Sequence, residues 1–369
     1  MNTSWYPRIP AAQSRGRNSD ASTGREWNGA LELQVQVEDE TIRALAYPRL
    51  VGRPEPGDSV ILNTTALSLG LGTGGYALVV AIPSRLPADP EAPGHLVKGR
   101  YLPTQATVLG VDEQDSPHHQ TLRDAESLDG MPVVIADLHS ALPAILAGIH
   151  LDAPRIKVAY VMTDGGALVA WFSRSLSALS DRLVGTVTVG QVVGGDLEAV
   201  TVHTGLLAAQ HVLKADIAIV TQGPGNLGTG TTWGFSGVAA GDTANAVHLL
   251  EGQPVGALRI SDADPRSRHR GVSHHSLTAF GRVALCGLDL AVPEGLPAEL
   301  SDRVEEDLAA QPVRNRIVHV SDVGLLDALT ASPVPLSTMG RGLAEDPWYF
   351  LAAAAAGRHA AGLVSSQVP

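Results

Sequence analysis

Six short, mostly apolar runs recur along the body of this chain, at 132–136, 157–162, 185–189, 216–220, 256–260 and 316–320, most of them rich in β-branched residues. Helical stretches lie between most of them, at 140–149, 167–183, 204–213 and 237–250. A strand that is apolar along its whole length has no wet face, so it belongs to a sheet covered on both sides. Alternating strand and helix supplies the crossovers that parallel pairing needs. The pattern predicts an α/β fold, a doubly wound and mostly parallel sheet, over residues 95–292.

The flanks read differently. Alternating runs at 31–37, 41–47, 59–62 and 77–82, separated by turn residues such as those at 53–58, predict a small β-barrel-like domain over 28–90. Residues 1–27 are rich in Ser, Asn, Arg and Pro without periodicity and are expected to form a disordered tail. Pro83, Pro87, Pro90 and Pro93 mark a linker. Residues 293–369 are expected to add a helical extension around the strand at 316–320.

Composition excludes several classes of function. The 369 residues carry 26 Lys and Arg against 38 Asp and Glu, a formal net charge of -12, so the broad positive field of a nucleic-acid binder is missing. Cys286 is the single cysteine and sits in an apolar run, which leaves no disulfide framework and no thiolate zinc site, only a buried thiol. The first 25 residues hold no apolar segment of the kind a secretory signal needs. The apolar stretch at 349–356 is ended by Arg358 and His359, too short to cross a bilayer. The expectation is a soluble, cytoplasmic protein, with a homo-oligomer left open.

In an open α/β sheet, ligands bind beyond the carboxyl ends of the strands. The residues at those ends are therefore informative. Asp137 and His139 come after the first expected strand, Asp164 after the second, and a glycine-containing stretch running to His203 after the third. The fourth is succeeded by a loop holding Gly223, Gly225, Asn226, Gly228, Thr229, Gly230 and Thr231. The fifth leads to His269, Arg270, His274 and His275. Asp, Ser and Gly at such places commonly cap helices or shape turns. Turns, however, have no need of imidazole, and five ends in succession carry polar groups.

The glycine loop matches G-x-G-x-x-G formally, but residues 229–236 intervene before a convincing helix and Asp262 lies too far on for a ribose contact. Thr229 stands where a phosphate-binding P-loop needs lysine. Neither an NAD nor an ATP motif is convincing. There remains an anion-binding nest of amides with the hydroxyls of Thr229, Thr231 and Thr232, or else a tight structural loop. Gly234-Phe235-Ser236-Gly237 lacks the spacing of a serine hydrolase elbow. Adjacent His274 and His275 are expected to point to different sides, so that only one reaches a given site. A divalent metal stays open without a recognisable ligand spacing.

A further signal lies in longer stretches. Residues 44–48, the loop at 63–76, residues 94–101, Ala136-Asp137-Leu138-His139-Ser140, the 223–237 loop and residues 269–276 occur in this order. Together they resemble an uncharacterised bacterial family, the domain of unknown function 3866, common in actinobacteria, over about residues 27–292. The resemblance implies no assigned activity, substrate or catalytic residue.

The residues themselves lead to an enzyme, a hydrolase or group transferase acting on a small anionic or phosphorylated metabolite. The glycine loop would cradle the anion, with Arg270 and His274 beside it. Acid–base work would fall to histidines among His139, His203, His269 and His275, oriented by Asp137 or Asp164. The alternatives are a non-catalytic binding or regulatory protein, and a scaffold.

Overall fold

The computed structural model describes residues 13–18, 24–88, 94–312 and 314–367. Their contacts sort them into two units, one of residues up to 88 with Tyr101–Ala106, the other of 94–100 with 107–367. The smaller unit contains β1 (Gln13–Asn18), β2 (Glu26–Trp27), β3 (Ala30–Val37), β4 (Glu40–Ala46), β5 (Ser59–Asn63) and β6 (Ala77–Ala81). They pair in the order β1-β5-β6-β4-β3-β2, and β1 pairs with β3 as well, so five strands close on themselves. Leu31, Leu33, Val35, Ala44, Ala46, Val60, Leu62 and Val79 fill the interior. These are alternate positions along their strands, as one buried face demands.

The stretch expected to be a tail falls partly outside the described residues, at 1–12 and 19–23. Its described parts are strands: Gln13–Asn18 forms an antiparallel ladder with β5, and Glu26–Trp27 pairs with β3. A strand of sequence QSRGRN gives no apolar alternation. Ladder hydrogen bonds, which sequence periodicity does not register, hold it.

In the larger unit, β7 (Pro132–Ala136), β8 (Val158–Thr163), β9 (Gly185–Thr188), β10 (Leu197–Glu198), β11 (Ile217–Gln222) and β12 (Gln253–Ala257) belong to one eight-stranded sheet. Ile260–Ser261 (β13) and Gly271–Val272 (β14) form a separate antiparallel pair, and Asp289–Pro293 (β15) and Arg316–Val320 (β16) complete the large sheet. Its order is β10-β9-β8-β11-β7-β12-β15-β16, parallel throughout.

Both faces are covered. Along β7, Val134 and Ala136 face one layer while Val133 and Ile135 face the other. The first layer is built from α1 (Leu142–Asp152), and the second from α2 (Val202–His211) and α3 (Ala239–Leu249). Short α4 (His274–Thr278) comes after β14, and α5 (Ala298–Ala309) joins the second layer. Leu325–Thr330 (α6) and Pro347–Gln367 (α7) join the first. The alanine run of α7 thus serves close helix packing: a Cβ on Gly148 of α1 would run into the carbonyl of Ala354. Among the described residues no helix is long and apolar enough to cross a membrane.

Two expectations about elements need correction. Residues 167–183 are not one helix but three short turns, Ala170–Phe172, Arg174–Ala178 and Ser180–Arg182. Ser173 restarts the chain there, its Oγ accepting from the Leu176 amide at 3.0 Å. Strand β15 lies outside the runs that periodicity marks, because its flanking Asp289 and Pro293 disguise a three-residue apolar centre.

The topology singles out one place. Strand β7 leads through α1, on one face, to β8. Its neighbour β11 leads through α3, on the other face, to β12. Adjacent strands whose connections depart on opposite faces leave a crevice at their carboxyl ends.

Candidate functional site

The residues after β7, β11 and β12 meet at that crevice. Asp137 comes directly after β7 and is buried. Gln222 ends β11 and donates from Nε2 to the Asp137 carbonyl at 2.7 Å and to Asn226 Oδ1 at 2.9 Å. Gly237, at the start of the next helical segment, approaches so closely that an added Cβ would lie 2.9 Å from Asp137 Cβ. Below them is a cavity of about 10 Å³ lined by Asp137, Thr221, Gln222, Ser236 and Thr243 among others, room for a single water molecule.

From β12 the chain makes an excursion and returns. Ile260 pairs with Val272 and Ser261 with Gly271, so the β13–β14 ladder draws His269 and α4 back to the strand end. Buried ions anchor its base. Asp264, fully buried, receives Arg259 at 3.1 Å, Arg266 at 2.9 Å and Arg341 at 3.0 Å. Burial pushes the Asp264 carboxyl up, but hydrogen bonds and charge from Arg266, with the charge of Arg259, hold it far below the usual carboxylate range. Asp346, from the far end of the chain, accepts from Ser261 at 3.0 Å and from Arg341 at 2.9 Å.

Three histidines converge on this base. Ring centroids lie 4.9 Å apart for His269 and His274, 4.9 Å for His269 and His275, and 4.4 Å for His274 and His275. The expectation that only one of His274 and His275 reaches the site is therefore overturned. Consecutive residues at a helix start are separated by about 100° around the axis, which long imidazole arms can span. Ser273 caps α4, its Oγ accepting from the His275 amide at 3.2 Å, and it also lies 2.7 Å from His269 Nδ1. Phe235 stacks flat on His275, with centroids 3.8 Å apart. The Asp137 carboxylate stands 3.4 Å from His275 Nδ1 without a hydrogen bond.

Burial, with the charges of Arg259 and Arg266, brings His269 down to about 3. Burial, with neighbouring His275 and Arg268, brings His274 to about 4. Neutral imidazoles have lone pairs to offer. Among the described residues, His274 Nε2, His275 Nδ1, Asp137 Oδ2 and Gln222 Oε1 are all buried without a hydrogen-bond partner. Native structures leave few such atoms, and several in one crevice mark a place built to meet something.

Other candidates fall elsewhere. His139 is buried in the first layer, with Nδ1 2.8 Å from Tyr160 Oη and Nε2 2.7 Å from Ser173 Oγ. Thr221 donates to the Gln222 carbonyl, so Tyr160 donates to Thr221 at 2.7 Å, and the His139 Nδ1–H must donate to Tyr160. Both ring nitrogens are thus spent, and burial lowers His139 to about 4. Asp164 accepts from the Gln191 amide at 3.0 Å. Its charge acts on a second polar group, where buried Lys98 pairs with Glu198 at 2.8 Å and donates to the Thr188 carbonyl at 2.8 Å. His203 is exposed in the first turn of α2.

The glycine loop is a small self-bonded hairpin. Gly228 bridges Phe235, and the Thr229 amide donates to the Gly234 carbonyl at 2.7 Å. Thr231 Oγ1 accepts from the Gly234 amide at 3.1 Å and lies 3.2 Å from Thr229 Oγ1. Asn226 Oδ1 gathers Gln222, Ser236 and the Gly237 amide. Gly223 is buried, whereas Gly225 and Gly230 are exposed. Much of the loop's donor capacity therefore goes to its own closure. Arg270 is exposed and donates to the Asp264 carbonyl at 2.9 Å, while Arg268 is the guanidinium beside Gly230.

Gln222, Arg259, Arg268 and the Asp264–Asp346 base join the site without being singled out in the sequence, as does Phe235, which lies inside the 223–237 stretch. Gln222, beside the glycine loop, and Arg268, beside the histidine run, have positional cues. In comparison with known proteins, the model of a family described as "Protein of unknown function (DUF3866)" fits residues 43–357. The match starts later than the resemblance over 27–292 and runs further, through about half of α7. No curated protein and no solved structure matches the chain.

Proposed function

The chain belongs to the DUF3866 family, whose description carries no activity, and we propose from the geometry that the β7–β11–β12 crevice is the active site of a hydrolase or group transferase acting on a small anionic substrate. The observation that carries this reading is the set of buried polar atoms from three strand ends that make no hydrogen bond: Asp137 Oδ2, Gln222 Oε1, His274 Nε2 and His275 Nδ1. Each costs folding free energy where it stands, so each is better explained by use than by packing. Asp137 beside His275 is the arrangement of a carboxylate that orients a working imidazole. Arg268, at the exposed hairpin tip with Thr231 and Thr232, supplies positive charge where an anion would approach.

The test incubates the purified full chain with a panel of phosphorylated and carboxylated metabolites and nucleotides and monitors group release. A hit should lose at least about 100-fold in turnover with His275→Ala, and weaken chiefly in KM with Arg268→Ala. Absence of turnover across the panel, or turnover indifferent to His275, contradicts the proposal. A second reading, in which the crevice binds a ligand without transforming it, is favoured by the same buried atoms, none of which needs a reaction to be satisfied. That reading expects thermal stabilisation by a panel member with no product.

A further inference from the structure

Phe235, His269, His274 and His275 form a cluster of rings, and packing alone explains why their faces touch. Packing does not explain their nitrogens. Each of the three histidines offers one ring nitrogen, and these atoms all lie within 4.8 Å of one another. His274 Nε2 is buried without a hydrogen bond, as is His275 Nδ1, which stands 3.4 Å from Asp137 Oδ2, and His275 is itself only 7% exposed. We infer that His269, His274 and His275 hold a divalent transition-metal cation of the zinc class.

The donor chemistry selects the ion. Three imidazoles suit zinc, cobalt, nickel or copper, whereas calcium and magnesium require a shell of oxygens. Three protein ligands also leave a coordination position open, which is the mark of a catalytic rather than a structural site. In a tetrahedral zinc site with nitrogens at about 2.1 Å, the ligand atoms stand about 3.4 Å apart. A bound ion would draw the three nitrogens, which lie within 4.8 Å of one another, in to that spacing.

Neighbouring groups already do the work of an outer shell. Ser273 Oγ accepts from the His275 amide and can accept a second hydrogen from His269 Nδ1, which leaves the His269 Nε2 lone pair free. Asp137 flanks one edge of His275, and Phe235 fixes its plane. Such partners set tautomer and ring orientation at metal centres. The sequence hides the site because its ligands, i, i+5 and i+6, fit no helical metal motif. The β13–β14 return supplies the convergence instead.

The inference deepens the catalytic reading and rests on it for the use made of the cation; the cation itself is testable without a substrate. The full chain is stripped with chelator and titrated with zinc chloride by calorimetry and with cobalt chloride by visible absorption. The expected result is one saturable equivalent per chain, a raised Tm, and cobalt bands of a nitrogen-rich, low-coordinate site. His274→Ala and His269→Ala should each weaken uptake more than about 100-fold, beyond the usual effect of an outer-shell change. His248→Ala, on the exposed side of α3, should leave it unchanged. His274 is half-buried, so its variant keeps the test alive should His275→Ala fail to fold. Failure of the unvaried chain to take up a stoichiometric ion, or uptake indifferent to both His269 and His274, overturns the inference. Uptake without turnover on any substrate overturns the catalytic reading alone. Turnover by stripped protein that binds no metal overturns the cation alone.

Discussion

His139 and His275 stand beyond neighbouring strands, and the sequence presents them as equals. The structure separates them. His139 spends both nitrogens in a chain of hydroxyls from Ser173 through Tyr160 to Thr221. His275 has a phenyl ring on its face and a buried Nδ1 that stands 3.4 Å from a carboxylate and makes no hydrogen bond. A saturated histidine is part of the scaffold, and an unsaturated one beside two more is poised for a partner. Burial is common to both; the difference is whether the hydrogen-bond account closes.

The most forceful way to break this comparison is to delete each ring in turn. His139→Ala leaves a void and strands Tyr160 and Ser173, and should cost about 3–5 kcal/mol in chemical denaturation while leaving metal uptake intact in whatever fraction folds. His274→Ala should cost less than about 1 kcal/mol in the metal-free chain, because it removes an orphan instead of creating one. Equal losses would erase the distinction.

Acid gives the next largest effect. Burial holds His139 at about 4, below the ordinary 6.5, so the unfolded state takes up the proton more readily. Its contribution to stability is therefore full above about pH 6.5 and is lost as pH falls towards 4, by up to about 3 kcal/mol. Denaturation midpoints of the stripped chain should fall across that window, and His139→Asn should make the limb shallower, with His269 and His274, also held low, supplying the remainder. A flat profile in the parent would mean the ring is not held neutral.

Asp137→Asn sharpens the other side of the comparison. As a positioning residue for His275, it should weaken zinc by about 10–100-fold and shift the cobalt bands without abolishing them, at nearly unchanged stability. Loss of stability with unaltered bands would make Asp137 structural only. The smallest effect is expected at Gly225, where φ is +88° and an added Cβ meets open space. Gly225→Ala should cost about 1 kcal/mol from left-handed backbone strain and leave metal binding alone.

Much of the architecture is legible in the sequence because it rests on periodicity. The apolar runs at 132–136 and 217–220 are interior parallel strands, and alternating runs at 31–37 and 59–62 are strands with one buried face. The elements that escape are held by backbone pairing or capping: β1, with its polar sequence, and the break at Ser173. At the site, Asp137, His269, His274 and His275 are legible as polar groups after strands. Their mutual geometry is not, since it depends on the β13–β14 ladder and on ions linking Asp264 and Asp346 to Arg341, more than 70 residues away in sequence from Asp264. His139, Asp164 and His203 look alike in the sequence because composition does not tell a satisfied polar group from an open one.

The central claim is that three imidazoles at one strand end form a single ligand set. X-ray absorption on the zinc-loaded full chain tests it most directly. The account predicts a nitrogen and oxygen shell at about 2.0–2.1 Å with outer-shell scattering from three imidazoles, reduced to two in His274→Ala. A shell without imidazole scattering, or one unchanged by His274→Ala, would contradict it.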